Sequence, residues 1–394
     1  MHCSNPVSEE THMPQSPTSC SPPTDRHTQS PGMDRRSFFK AVAQIAASVG
    51  LSAATANRIA EAAVRGKKPT VIWLHFQDCT GCTESLLRSS QPGFAELVLD
   101  LISLDYHETV MAAAGHQAEE ALNASIKTNA GKYILVVEGA IPLANNGNFI
   151  RIAGRTGVQM LKDVAAGAGL VIAIGSCASW GGLPSADPNP TGAVGAHHVL
   201  TGSRIVNLPG CPANPNIFLA TALQFATLGT LPELDAENRP KFAYGRLIHD
   251  HCPRRAHFDA GRFADQFGDA GHRLGHCLYK LGCKGPATHA NCSTNSFCEV
   301  VDAWPIGLGH PCFGCTEKSL AFRVPMFQTV NIERVKPPEF YPGLTAHYSS
   351  VSAAATGLAG LVAGGAIAGA LRLSKKVEET AAETDSNPPD GGAR

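Results

Sequence analysis

Short, continuous apolar runs punctuate the middle of this chain, separated by stretches with helical spacing. Val71–Phe76, Leu99–Leu104, Tyr133–Val137, Leu170–Ile174 and Ile205–Leu208 have the length and uninterrupted apolarity of strands buried on both faces. Helical patterns fit between several of them, as at Gly157–Ala166 and Asn216–Leu228. This alternation predicts an α/β domain over residues 69–236, an open parallel sheet with helices on both faces. Ligands of such sheets gather at the carboxyl ends of the strands. After about Asn238 the periodicity fades. Residues 239–340 are rich in Gly, Pro, His and Cys, with few apolar runs. A segment of that kind buries too little hydrophobic area to fold alone and calls for metal centres as staples.

The two ends have patterns of their own. Residues 1–33 hold 16 Pro, Ser and Thr and no apolar periodicity, which reads as a disordered leader. Arg35-Arg36 then precedes 16 uncharged residues, Ala41 to Ala56, so residues 1–56 read as a leader plus a twin-arginine export signal. The other reading is a chance Arg-Arg before an amphipathic helix. Val351 to Leu371 carries no charge over 21 residues, enough for a helix to cross a bilayer core of roughly 30 Å. Arg372, Lys375 and Lys376 follow it, which places residues 372–394 on the cytoplasmic side. Thirteen of those 21 residues are Gly or Ala, so a linker is the alternative to a transmembrane anchor. The small-xxx-small spacing of Gly360/Gly364 and Gly365/Gly369 suits packing against another membrane helix.

Composition narrows the function. Lys and Arg total 32 against 33 Asp and Glu, a net charge of -1, and this excludes the basic stripe of a nucleic-acid binder. Hydrophobic residues make up 43%, which excludes global disorder. The 13 cysteines and 16 histidines change the picture most. Export would ordinarily favour disulfides, but a route for folded proteins lets metal centres be loaded in the cytoplasm first.

The cysteines fall into groups. Cys79 and Cys82 follow the first predicted strand, Cys177 the Leu170 strand and Cys211 the Ile205 strand, so four thiols converge at strand exits. His249, Cys252, Cys277 and Cys283 form a second set; Cys292, Cys312 and Cys315 form a third. Structural zinc fits four-ligand shells. Iron–sulfur clusters also fit a three-cysteine group, and several in series make an electron wire. Spacing favours clusters and leaves zinc open.

Taken in order, Cys79-Thr80-Gly81-Cys82-Thr83-Glu84, Gly175-Ser176-Cys177, Leu208-Pro209-Gly210-Cys211-Pro212, Arg246-Leu247-Ile248-His249-Asp250-His251-Cys252, Leu278 to Pro286 and Gly309 to Cys315 resemble the small subunit of membrane-bound nickel–iron hydrogenases. Asn291-Cys292-Ser293-Thr294 and Phe297-Cys298 look most like the hydrogenase-2 branch. The resemblance implies a flavodoxin-like sheet domain, followed by a small irregular cluster-binding domain and a C-terminal transmembrane helix. It implies a proximal 4Fe-4S cluster on Cys79, Cys82, Cys177 and Cys211. It implies a distal 4Fe-4S cluster on His249, Cys252, Cys277 and Cys283, and a medial 3Fe-4S cluster on Cys292, Cys312 and Cys315, with Pro305 where a fourth ligand would otherwise sit. Hydrogen would be split or formed at a nickel–iron centre in a large subunit, and this chain would relay the electrons. The further partners implied are a ferredoxin-like subunit and an integral membrane, quinone-linked subunit, on the periplasmic side of the inner membrane. A dimer of the heterodimer is compatible with the same resemblance.

Gly81 and Gly182 stand where oxygen-tolerant relatives carry two supplementary cysteines, which implies an ordinary cubane and an oxygen-sensitive enzyme. Cys298, six residues after Cys292, is either a fourth thiolate for the medial site or a buried small hydrophobe. Glu84 is either a tuning charge or a carboxylate favoured by a helix start. His276 reads as a neighbour of the ligands or an exposed residue, and His197 and His198 as ordinary surface or core residues. Two other function classes remain open to the sequence: an iron–sulfur subunit serving a different catalytic partner, and a zinc-stapled, membrane-tethered interaction protein.

Overall fold

The computed structural model describes residues 35–48, 52–65, 68–90, 92–297 and 300–330. Strands β1 (Thr70–His75), β2 (Ser103–His107), β3 (Ile134–Glu138), β4 (Leu170–Ile174) and β5 (Ile205–Leu208) form one parallel sheet in the order β2-β1-β3-β4-β5. This is the flavodoxin-like order, with its switch point between β1 and β3. Val71 to Leu74 and Ile134 to Val137 have no exposed surface. Val71 and Trp73 pack into one face, Ile72 and Leu74 into the other, as the period of two requires.

Seven helices are used below: α1 (Arg35–Ser48), α2 (Ala53–Arg65), α3 (Gly81–Leu87), α4 (His116–Thr128), α5 (Gly157–Ala165), α6 (Gly175–Trp180) and α7 (Pro215–Leu228). Leu122 of α4 and Met160, Leu161 and Val164 of α5 cover one face of the sheet. On the other face lies α7, set by Pro215 at its start, by Asn214 accepting from the Asn216 N–H (3.0 Å), and by Gly229 at φ 67° closing it. It is apolar all round because it is covered twice: Phe218 and Leu219 join the sheet core, and α1 and α2 cover it outside with Val42, Ile45, Ile59 and Ala60. The described parts of the stretch read as an export signal, residues 35–48 and 53–56, are thus helical, and Val42 and Ile45 pack on the domain.

The strand expected at Leu99–Leu104 is corrected. Leu97–Leu101 winds as a π-helical turn that buries Leu97 and Leu101, and the strand begins later, at Ser103, opposite Thr70. Leu99, Leu101, Ile102 and Leu104 satisfy a wide turn as well as a strand, and burial of Leu97 and Leu101 on one side selects the turn.

Residues 244–330 contain no strand among the described residues, only short helical turns and isolated bridges such as Leu247 with His289 and Phe263 with Cys277. Their core is small: Ile248, Ala264, Leu278, Leu281, Trp304 and Ile306 pack with Cys283 and Cys312. A polar seam joins this region to the sheet domain. Trp180 Nε1 donates to the Thr316 carbonyl (3.3 Å), Arg239 to the Thr316 carbonyl (3.0 Å) and Glu317 (3.1 Å), and Arg323 to Ser185 (2.7 Å). Among the described residues no helix is long and apolar enough to cross a membrane, and residues 351–371 lie outside them.

Candidate metal centres

Four neighbouring strands deliver functional groups at their carboxyl ends. Cys79 and Cys82 follow β1, Glu138 ends β3, Cys177 lies on α6 directly after β4, and Cys211 follows β5. The Cys79–Cys82 loop is tight: Thr80 sits at φ 60°, rare for a β-branched residue, and its N–H donates to Asp78 Oδ1 at 3.0 Å. Glycines keep the thiols close to backbone. A Cβ built on Gly175 would lie 2.5 Å from Cys82 Sγ, and one on Gly182, at φ +49°, would lie 2.5 Å from Cys177 Sγ. A side chain at Gly182 therefore requires the loop to move. The Ala213 N–H points at Cys82 Sγ, 3.5 Å away.

Electrostatics says what these thiols need. Burial, and then the charges of neighbouring cysteines and carboxylates, pushes Cys177 up to about 12 and raises Cys82 and Cys211. Several thiolates side by side are stable only around a cationic group.

The second set behaves alike. His249, Cys252, Cys277 and Cys283 line one small cavity with Leu278 and Ile306. Burial raises Cys252 to about 12, Cys277 to about 11, and Cys283 in the same direction. His249 is held neutral, lowered to about 4 by burial and then by Arg255. Its Nε2 is buried without a hydrogen-bond partner, as a metal-binding nitrogen would be. In the third set, Cys292, Cys312 and Cys315 line a second small cavity with Pro305 and Trp304. Burial raises Cys292 to about 12 and lifts Cys312 and Cys315 as well. The structure thus brings together every ligand set grouped from the sequence. Cys298 lies outside the described residues.

Among the described residues one group of side chains has its ligand atoms within 4.8 Å of one another, His75, Asp78 and Glu138, and it is a hydrogen-bonded network: His75 Nδ1 lies 2.8 Å from Asp78.

Glu138 is the residue the sequence reading missed. It is 2% exposed and accepts from the backbone N–H groups of Cys82 (3.0 Å) and Thr83 (3.3 Å), from Thr83 Oγ1 (2.6 Å) and from Trp73 Nε1 (3.0 Å). It therefore anchors the start of α3, and with it Cys82. Its one signal was an acid at the end of an apolar strand. Glu84, by contrast, is exposed and faces Arg88 at 3.7 Å on α3. The His276 carbonyl accepts from Arg254 (3.0 Å) and its ring lies against His257. His197 stands against Trp180, partly buried, and His198 is exposed.

Fold and thiol placement define a cysteine-rich α/β protein whose thiols gather at the strand exits and in two further cavities. Residues 79–225 match the family described as NADH ubiquinone oxidoreductase, 20 Kd subunit. Residues 244–328 match the C-terminal family of the NiFe/NiFeSe hydrogenase small subunit. The chain is 49% identical to the hydrogenase-2 small chain of Escherichia coli K12, covering 90% of this chain and 96% of that one. It is 46% identical to the quinone-reactive Ni/Fe-hydrogenase small chain of Wolinella succinogenes, over 73% of this chain and 81% of that one. The reduced, active Ni-Fe-Se hydrogenase of Desulfomicrobium baculatum has a similar fold, with TM-score 0.62 and 32% identity, covering 67% of this chain and all of that one. The chain belongs to the small-subunit family of nickel–iron hydrogenases. It is the electron-transferring subunit of an oxidoreductase, paired with a large subunit that holds the nickel–iron centre, and membership implies iron–sulfur clusters in this chain.

Proposed function

We propose that this chain carries three clusters in series: 4Fe-4S on Cys79, Cys82, Cys177 and Cys211, 3Fe-4S on Cys292, Cys312 and Cys315, and 4Fe-4S on His249, Cys252, Cys277 and Cys283. The observation that carries this reading is the gathering of buried thiols, with the unpartnered His249 Nε2, into three sets in a chain of the hydrogenase small-subunit family. When bound, such clusters take up and release single electrons. The chain's own residues hold them dry and fixed. The first set is the outermost: Cys79 and Cys211 are exposed, whereas Cys312 is buried. That exposure supports a first set facing the large subunit and a medial set enclosed by this chain.

The wire ends at a membrane. The charge-free run 351–371 and the Arg35-Arg36 signal support a tail-anchored subunit on the periplasmic side of the inner membrane, exported by the twin-arginine route. The name of the Wolinella relative, quinone-reactive, supports a membrane partner linked to quinone, and the hydrogenase-2-like motifs Asn291 to Thr294 and Phe297-Cys298 support a ferredoxin-like subunit between. Glycine at 81 and 182 supports an ordinary proximal cubane and an oxygen-sensitive enzyme.

The test is EPR of the anaerobically purified membrane complex, oxidised and then equilibrated with hydrogen. The expected result is an oxidised 3Fe-4S signal that vanishes under hydrogen, with iron and acid-labile sulfide for three clusters. Clusters indifferent to hydrogen, in a complex whose large subunit is active, would sink the reading. So would zinc in place of iron, or turnover of hydrogen that persists in air for the oxygen-sensitivity part.

A further inference from the structure

Ser176 sits between two of the proposed cluster sites and touches the loops of both. It is 2% exposed, in the first turn of α6, immediately before Cys177. Its backbone N–H donates to the Gly210 carbonyl at 2.9 Å, and the Gly210 N–H donates back to Ser176 Oγ at 3.2 Å. Gly210 immediately precedes Cys211. The same hydroxyl donates to the Cys315 carbonyl at 2.6 Å, across 139 positions of sequence. One side chain is therefore joined to two ligand loops of the first set and one ligand of the third.

The loops it joins also share a wall: Cys211 and Cys315 both line the medial cavity. A hydroxyl that both accepts and donates polarises its two bonds together and fixes their geometry in a dry interior. Alanine would leave a buried carbonyl and a buried N–H each short of a partner.

We propose that Ser176 is a positioning residue for electron transfer between the Cys79/Cys82/Cys177/Cys211 set and the Cys292/Cys312/Cys315 set, holding the Cys211 and Cys315 loops in contact. This rests on the cluster assignment above. Ser176 acts on distance and contact, not on driving force, because its hydrogen bonds go to backbone groups rather than to sulfur.

The test uses the whole complex, with Ser176→Ala and Ser176→Thr. Rapid freeze-quench EPR after mixing with hydrogen follows loss of the oxidised three-iron signal, referenced to reduction of the proximal cluster in the same samples. Equilibrium titration gives both midpoint potentials, and iron content gives loading. The expected result for Ser176→Ala is full iron, unchanged potentials and severalfold slower loss of the three-iron signal, with the wild-type rate restored in Ser176→Thr. An unchanged rate in Ser176→Ala overturns the proposal. So does a slower rate explained by a shifted potential, a Thr variant as slow as Ala, or loss of the medial cluster in Ser176→Ala, which would make Ser176 a folding residue. A wild-type complex with no oxidised three-iron signal would instead overturn the cluster assignment itself.

Discussion

Two halves of this molecule solve the same problem, a dry and rigid interior, by different means. The main sheet of the first domain has five strands and a helix layer on each face, with Trp73, Tyr133 and Phe218 fully buried in its two cores. The region from Tyr244 to Val330 has nothing comparable. Its one core mixes a few aliphatics and Trp304 with four of its own ligand cysteines. In the first half the cysteines are an addition at the strand ends; in the second they complete the core. The difference follows from sequence: periodic apolar runs stop near Asn238 and cysteines accumulate after it.

Removing iron should break that comparison open most widely. An apo form, made by anaerobic chelation, should lose hydrogen-exchange protection across residues 244–330 while β1, β3 and β4 keep theirs. The clustered, buried thiols make this the largest effect, because without the metal the region keeps only a small apolar core. Uniform loss of protection, or none, would show that the halves do not differ as argued.

Phe218→Ala is the matching test of the other half. Phe218, on α7, is 0% exposed and stands edge-on to Trp73 of the sheet at 5.4 Å. A buried phenylalanine truncated to alanine costs about 3–5 kcal/mol, which should appear as a lower denaturation midpoint with iron content unchanged. Loss of the distal and medial clusters in this variant would mean the two cores are one cooperative unit.

Glu138→Gln probes where the halves' chemistry touches the sheet. The carboxylate accepts four hydrogen bonds, from Cys82, Thr83 twice and Trp73. An amide keeps the shape but replaces a charged acceptor with a neutral one that also donates, a loss of roughly 1.5–3 kcal/mol. Thermal denaturation of the loaded complex measures it. A negative charge is also removed from beside Cys82, so the midpoint potential of the proximal cluster should rise. No change in either quantity would remove Glu138 from its anchoring role.

Much of the sheet was legible. Leu170–Ile174 and Ile205–Leu208 are uninterrupted apolar runs and coincide with β4 and β5, because strands buried on both faces tolerate little else. The run at Leu99–Leu104 misled because pattern alone does not separate a wide turn from a strand when every second or third residue is apolar. The gathering of the cysteines into groups was legible for a different reason: strand exits and short spacings bring them together. Glu138 was not, since an acid ending an apolar strand ordinarily points to water, and only the neighbouring β1 exit turns it into a cap for Cys82. The Ser176–Cys315 contact was not legible either. It depends on how the second half docks, and no local pattern encodes a pairing across that distance.

The smallest effect concerns how acid reaches the two halves. Burial, and after it the charges of His198 and Lys318, lowers His197 to about 4 from an ordinary value near 6.5. Between those two values the unfolded chain binds a proton at this position and the folded chain does not. Stability therefore rises with pH across that window, and His197's share of it is lost as pH falls from about 6.5 toward about 4. His107, on the same domain, is also lowered to about 4, by burial and then by His75, and His249 in the other half likewise. His197→Gln should thus flatten, and not abolish, the decline of the denaturation midpoint between those pH values, leaving the midpoint above pH 7 nearly unchanged. Because His197 stands against Trp180 at the end of the helix that carries Cys177, the flattening should appear in the sheet-domain transition. A wild-type slope in the variant would mean that His197 takes up its proton as readily folded as unfolded, and that the acid sensitivity belongs to His107 or to the cysteine-rich half.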